Sequence, residues 1–222
     1  MKKIKAVLFD FDGTIFDTNK LILASWSAVF RTKRRTPKSE AEILASFGEP
    51  LLTTMEKWFP GETEECIRIY RDYQKEIFFD QIELYPGMDE LIRKLAALGF
   101  RLAIVTSRLT GSTVDTLEKY DLLRYFDTIV TCDDTVKHKP DPEPALLALE
   151  RLGVSAEEAL MIGDSRFDIL CAHNAGVQAT LVEWSEAIRG QAEMPEGAER
   201  NEKETPDYRI DRAEELLNIL LR

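Results

Sequence analysis

The chain has 222 residues, 44% hydrophobic and 31% charged, enough for one core domain carrying a modest insertion. Its 29 basic and 40 acidic residues give a net charge of −11, which argues against nucleic acid or an anionic membrane as a partner. No run approaches the ~18 consecutive apolar residues of a membrane span. The Met1-Lys2-Lys3 start has no signal-peptide cleavage site, and Cys66, Cys132 and Cys171 are odd in number and scattered, so a cytoplasmic protein with reduced thiols is expected.

In chain order, Ile4 to Phe9 is an apolar run that predicts a buried parallel strand. It leads into Asp10-Phe11-Asp12-Gly13-Thr14-Ile15-Phe16-Asp17-Thr18. Two carboxylates two residues apart, just past a strand end, share one side of the extended chain and can converge on one site. Gly13 allows the tight turn that opens such a site at a sheet's carboxyl edge. The stretch before the next strand is too long for one crossover helix. Leu21 to Phe30 predicts a largely apolar helix, and Ser39 with Glu42 a capping box opening a short helix stopped by Gly48. Leu51 to Phe59 predicts a third helix, and Ile67 to Phe78 a fourth reached from a Thr63 cap. Pro86-Gly87 returns the chain to the core through a helix with Leu91, Leu95 and Leu98 on its apolar stripe, stopped by Gly99.

Phe100 to Val105 is the next strand, ending at Thr106-Ser107-Arg108, and Ile129-Val130-Thr131 precedes Lys137-His138-Lys139-Pro140-Asp141-Pro142. A helix over Glu143–Arg151 and a second capping box at Ser155 and Glu158 follow. Ala159 to Ile162 is a strand leading into Gly163-Asp164-Ser165-Arg166-Phe167-Asp168. The remainder predicts a helix from Phe167 to Asn174 closed near Gly176, a strand from Gln178 to Val182, and a charged, partly mobile loop from Glu186 to Thr205. Pro206 to Ile210 then reads as an edge strand and Ala213 to Leu221 as a last helix. Polar residues thus end four apolar strands, where open α/β sheets hold ligands.

These four stations together resemble the motifs of the haloacid dehalogenase (HAD) superfamily. Asp10-x-Asp12-Gly13-Thr14 matches its nucleophile motif, Thr106 its Ser/Thr motif, Lys139-Pro140 its lysine motif, and Gly163-Asp164-Ser165-x-x-Asp168 its metal motif. The resemblance implies a Rossmann-like parallel sheet with helices on both faces, formed by residues 1–17 and 83–222, and an all-helical C1 cap over residues 18–82. It implies Mg²⁺ held by Asp10, Asp164 and the backbone carbonyl of Asp12. Asp10 would then be the nucleophile and Asp12 the general acid and base. Thr106, with the neighbouring Ser107 and Arg108, and Lys139 would bind the phosphoryl group, while Asp168 would orient Lys139 or metal-bound water. The chemistry needs these types. A carboxylate attacking a phosphate dianion meets repulsion of about 4 kcal/mol per unit-charge pair at 4 Å and an effective dielectric near 20, which a divalent cation removes.

Simpler readings stand beside these. Thr106 is also a β-branched strand residue, Lys137 competes with Lys139, and Asp168 could merely complement a helix dipole. Asp133, Asp134, Asp141 and Ser165 read as solvated loop positions, Asp17 as structural, and His138 and His173 as surface groups or as residues supporting the site from behind.

Within the superfamily, Phe47-Gly48-Glu49-Pro50-Leu51, Tyr85-Pro86-Gly87 and Lys139-Pro140-Asp141-Pro142-Glu143-Pro144 are similar to phosphoglycolate phosphatases and inorganic pyrophosphatases. The implied substrate is a small phosphorylated metabolite. The rival is β-phosphoglucomutase, whose histidine after the first motif falls at Ile22 here and whose cap arginine falls near Leu51. An apolar residue cannot grip a second dianion, so water is the expected acceptor. A non-catalytic phospho-ligand-binding protein is the remote alternative, since no motif residue is missing. Selectivity is expected from the loop carrying Gly48 and Glu49, where Glu49 either points away or pairs with an amine or hydroxyls, and from Arg108 unless it is a surface arginine. No pattern in the sequence indicates an oligomeric state.

Overall fold

The computed structural model describes residues 3–78, 81–185 and 202–221. Its centre is β1 (Ala6–Phe9), apolar at every position and fully buried, as a strand covered on both faces must be. Five further strands join it, all parallel: β4 (Arg101–Val105), β5 (Thr128–Val130), β6 (Ala159–Gly163), β7 (Gln178–Val182) and β8 (Tyr208–Ile210), in the order β5-β4-β1-β6-β7-β8. The α/β fold read from the sequence is therefore the observed one, with β8 on an edge.

Side-chain alternation along the strands builds two cores. Val7, Phe9, Leu102, Ile104, Leu160 and Ile162 face α5 (Met88–Ala97) and α9 (Glu215–Leu220). Ala6, Leu8, Ala103, Val105 and Met161 face α7 (Glu143–Leu152) and α8 (Arg166–Asn174). On α5, Met88, Leu91, Ile92 and Leu95 are essentially inaccessible, each contributing about 1.5–3 kcal/mol over an exposed position. Leu98, placed on that stripe from the sequence, instead follows the helix as its C-cap and is half exposed.

Register decides where the polar stations meet. Phe9 lies opposite Ile104 on one side and Ile162 on the other, so Asp10, Thr106 and Asp164 all emerge at the same sheet edge. Asp10 N–H donates to the Ile162 carbonyl at 2.9 Å and Thr106 N–H to the Val130 carbonyl at 3.0 Å, carrying the ladder up to the polar residues.

The chain leaves and re-enters this sheet through a short antiparallel pair, β2 (Phe16–Asp17) and β3 (Glu83–Leu84). Between them lie α1 (Asn19–Thr32), α2 (Glu40–Leu44), α3 (Leu51–Trp58) and α4 (Thr63–Ile77). These helices share an aromatic-rich cluster of their own, including Trp26, Phe30, Met55, Phe59 and Tyr70. The Ser39–Glu42 capping box forms as expected, but α2 stops at Leu44 and Gly48 lies a turn beyond, at φ 82°. Thr63 does not cap α4. Glu62 precedes the helix, and the Thr63 hydroxyl donates back to the Phe59 carbonyl at 3.4 Å. The Ser155–Glu158 box caps only a 3₁₀ turn, and the last helix starts at Glu215 rather than Ala213. A helix with no apolar periodicity in the sequence, α6 (Thr110–Lys119), follows β4. The expected loop from Glu186 falls, as far as residue 201, outside the described residues. No helix among the described residues is long and apolar enough to cross a membrane.

Candidate active site

The site is assembled where β1, β4 and β6 end. Asp10 follows β1 directly and is 5% exposed. Lys139, on the loop before α7, is 4% exposed; its Nζ donates to Asp10 Oδ1 at 2.6 Å and to Asp168 Oδ1 at 2.5 Å. The other Asp168 oxygen accepts from the backbone N–H of Ser165 at 3.1 Å and its hydroxyl at 2.5 Å. Ser165 Oγ in turn accepts from Asp168 N–H, so one carboxylate closes the capping box of α8 and holds the buried lysine. Asp168 is therefore more than a group complementing the helix dipole. Lys137, the competing lysine, is exposed and pairs with Asp141.

Asp164, at the end of β6, accepts from Ser185 Oγ at 2.6 Å through Oδ2. Gly13, at φ 76°, lets the first loop pass against this carboxylate, for a Cβ there would stand 1.9 Å from Asp164 Oδ2. Asp12 Oδ1 accepts from Arg108 Nη1 at 2.8 Å. Arg108 is no surface arginine: it is 8% exposed, with the rings of Phe11 and Phe78 at 5.2 and 5.1 Å. The Thr106 hydroxyl accepts from Arg108 N–H at 3.2 Å, turning the loop that carries Ser107 and Arg108 back over the sheet edge.

Electrostatics follow from this crowding. Burial pushes the Asp10 carboxyl up to about 7, against the lowering influence of Lys139 and reinforced by Asp168 and Asp12. Asp164 is raised well above the usual carboxylate range, first by burial and then by Asp10 and Asp168. For Lys139 burial acts downward, yet the Asp10 and Asp168 carboxylates win and hold it above its ordinary value. Asp10, Asp164 and Asp168 each place an oxygen within 4.8 Å of the others. With Asp12 they make a surplus of carboxylate over the cations Lys139 and Arg108. An all-oxygen, anion-rich cluster of this kind fits a hard divalent cation. Asp168 has both oxygens engaged, leaving Asp10 Oδ2 and Asp164 Oδ1 as the better-placed ligands.

Above these groups is a cavity of about 160 Å³, walled by the sheet edge and by the helices between β2 and β3. Thr106, Ser107, Arg108, Gly48 and Glu49, all anticipated from the sequence, line it. Gly48 sits against α8, where a Cβ would come within 2.6 Å of Ser165 Oγ and 2.9 Å of Phe167. Glu49 accepts from Thr54 Oγ1 at 2.5 Å through one oxygen. Tyr70, Arg71 and Gln74 of α4 also line the cavity and went unnoticed in the sequence, where Tyr70 reads simply as part of an apolar helix face. Ser185 carried no signal either.

Other loop residues are structural. Asp133 accepts from Thr110 N–H, Asp134 from Thr131 N–H and Arg151, and Asp141 from Glu143 N–H. Ser165 was expected to be solvated; it is buried, because the capping box draws it under the site. Asp17 caps the turn into α1 through Asn19 N–H, and His173 bonds to Asp207.

The sequence profile described as "Haloacid dehalogenase-like hydrolase" matches residues 7–182, from β1 to the end of β7. The chain belongs to the haloacid dehalogenase-like hydrolase family. This HAD hydrolase is 38% identical over 218 residues to "Putative pyrophosphatase PpaX" of Caldanaerobacter subterraneus, covering 98% of this chain and 95% of that protein. It is 34% identical over 218 residues to pyrophosphatase PpaX of Bacillus velezensis, covering 98% of this chain and 97% of the relative. Among solved structures, a "putative phosphoglycolate phosphatase" from Lactobacillus plantarum superposes with a TM-score of 0.85 at 28% identity, covering 98% of this chain and all of the other. The HAD hydrolase described here is thus a phosphatase-type enzyme, and its acidic cluster is one that can bind a metal.

Proposed function

We propose that this HAD hydrolase is a Mg²⁺-dependent phosphatase that cleaves a small phosphorylated metabolite, a phosphoglycolate-like monoester or pyrophosphate, by way of an aspartyl-phosphate on Asp10. The observation that carries the reading is the convergence of Asp10, Lys139, Asp164 and Asp168 beneath a cavity of about 160 Å³. The names of its relatives, pyrophosphatase and phosphoglycolate phosphatase, agree on small anionic substrates.

Asp10 attacks phosphorus while the bond to the leaving oxygen breaks, and Asp12 gives that oxygen its proton. Asp12 then takes a proton from water as the water oxygen attacks the aspartyl-phosphate, releasing phosphate and restoring Asp10. Lys139 and the Thr106 hydroxyl stabilise charge on the transferring group, with Asp168 fixing the lysine. Asp10, Asp164 and the Asp12 carbonyl would hold Mg²⁺, which when bound neutralises phosphate charge and orients its oxygens. Residues 18–82 act as a cap over the core of residues 1–17 and 83–222, with Gly48 allowing close approach to Ser165 and Phe167.

Water rather than a sugar phosphate is the acceptor on this reading, because Ile22 and Leu51 both face the cavity. At these two positions the mutase pattern carries a histidine and a cap arginine, and this chain has neither. The test is phosphate release from pyrophosphate, phosphoglycolate, sugar phosphates, nucleotides and phosphoamines, with Mg²⁺ or EDTA, alongside Asp10→Asn. Metal-dependent release that Asp10→Asn abolishes is expected. Conversion of β-glucose 1-phosphate to glucose 6-phosphate without net release would instead make the enzyme a mutase.

A further inference from the structure

We propose that Arg108, assisted by Arg71 of α4, forms a second anion subsite that receives a negatively charged leaving group. The enzyme would thereby select substrates with a second phosphate or a carboxylate close to the scissile bond. The inference rests on the reading above in one respect, the role of Asp12 at the leaving oxygen.

Arg108 is 8% exposed, yet only one of its terminal nitrogens is satisfied. Nη1 donates to Asp12 Oδ1 at 2.8 Å, while Nε and Nη2 are buried and have no protein partner. Buried guanidinium donors are rarely left so. Phe11 and Phe78 flank the guanidinium at 5.2 and 5.1 Å, which fixes it within the cavity wall. The adjacent Ser107 hydroxyl is likewise buried without a partner and faces the same cavity. An arginine in this state offers a preformed fork for a carboxylate or phosphate.

Its tie to Asp12 sets the side on which it acts. If Asp12 protonates the leaving oxygen, a group bonded to Asp12 lies beside the leaving group rather than behind the transferred phosphoryl. Lys139 already serves that opposite side through Asp10. Arg71 adds a second cation to the cavity and forms no ion pair among the described residues. The local cations therefore stand out in a protein of net charge −11. Glu49 lines the same cavity, with one of its oxygens accepting from Thr54 Oγ1 at 2.5 Å.

The test compares kcat/KM for pyrophosphate and phosphoglycolate with that for ethyl phosphate, whose leaving group is neutral, in the Mg²⁺-loaded full chain and in Arg108→Ala, Arg108→Lys and Arg71→Ala. Wild type should favour the doubly anionic substrates. Arg108→Ala should lower their kcat/KM by about 10–150-fold more than that of ethyl phosphate, the worth of one charge-assisted contact. The loss should appear mainly in KM, with Arg108→Lys recovering part and Arg71→Ala showing a smaller loss of the same kind. Equal losses on all substrates would overturn the subsite and reduce Arg108 to positioning Asp12. A wild-type preference for ethyl phosphate would also overturn it, leaving the phosphatase reading intact. Pyrophosphate binding to Asp10→Asn, measured by calorimetry, supplies an answer independent of turnover. There Arg108→Ala should weaken pyrophosphate far more than inorganic phosphate. If that difference holds while wild type releases phosphate from nothing, the subsite stands and the phosphatase reading falls; if it is absent, the subsite falls.

Discussion

Replacing Lys139 by Met should destabilise the protein strongly, and by an amount that depends on pH. The ammonium is buried between Asp10 and Asp168, themselves 5% and 1% exposed, and is bonded to both. Methionine keeps much of the volume but leaves two carboxylates without their cation. Removing one member of a buried ion pair costs about 3–5 kcal/mol, which for a chain of this size lowers the melting temperature by about 6–20 °C. Protonation relieves part of the penalty. The Asp10 carboxyl already sits near 7 with Lys139 holding it down, so the variant moves it higher. A carboxyl whose folded pKa exceeds its unfolded value of 3.8 destabilises fully above the folded pKa, and the penalty shrinks as pH falls towards 3.8. Urea or thermal unfolding in EDTA, at pH 8 and at pH 5.5, measures this without a divalent ion substituting for the lysine. The wild type should exceed the variant by about 3–5 kcal/mol at pH 8 and by clearly less at pH 5.5. A gap below about 1 kcal/mol at pH 8, or one independent of pH, would refute the claim that the lysine compensates these buried charges.

Mg²⁺ at about 100 times its Kd should stabilise the wild type by about 2.7 kcal/mol, and Asp164→Asn should remove most of that gain in a thermal-shift titration. Gly13→Ala places a methyl at φ 76° and 1.9 Å from Asp164 Oδ2. Beyond about 1–2 kcal/mol of backbone strain, it should displace the carboxylate and weaken Mg²⁺ binding at least about tenfold by calorimetry; unchanged affinity would contradict the packing. Gly48→Ala, at φ 82° and 2.6 Å from Ser165 Oγ, should hold the helical segment off α8 and raise KM for the preferred substrate. Its cost in unfolding free energy should stay near about 1–2 kcal/mol, and an unaltered KM would argue that the segment does not need to close there.

The sheet and its polar stations could be read from the chain because each depends on local pattern. Ala6 to Phe9 and Ala159 to Ile162 are apolar throughout; Asp10 follows the first directly, and Asp164 follows the second after Gly163. The Ser39 and Ser155 capping boxes were visible for the same reason, since their partners lie three residues on. What escaped depends on contacts between distant segments. Arg108 could be read as a surface residue until Phe11 and Phe78 closed around it and Asp12, 96 positions away, accepted its Nη1. Ser185 carries no motif, yet the strand β7 beside β6 brings its hydroxyl to Asp164. Arg71 and Gln74 look like the polar face of α4, and only the seating of that helix over the sheet edge turns them towards the cavity. Sequence by itself determined the strands of the parallel sheet and the polar residues that end them, because backbone pattern and spacing act over a few residues, and the resemblance of those residues to the HAD motifs then implied the class of chemistry. Tertiary structure alone decided which side chains became buried, paired and charged around that chemistry, because desolvation and Coulomb interactions depend on distance in space.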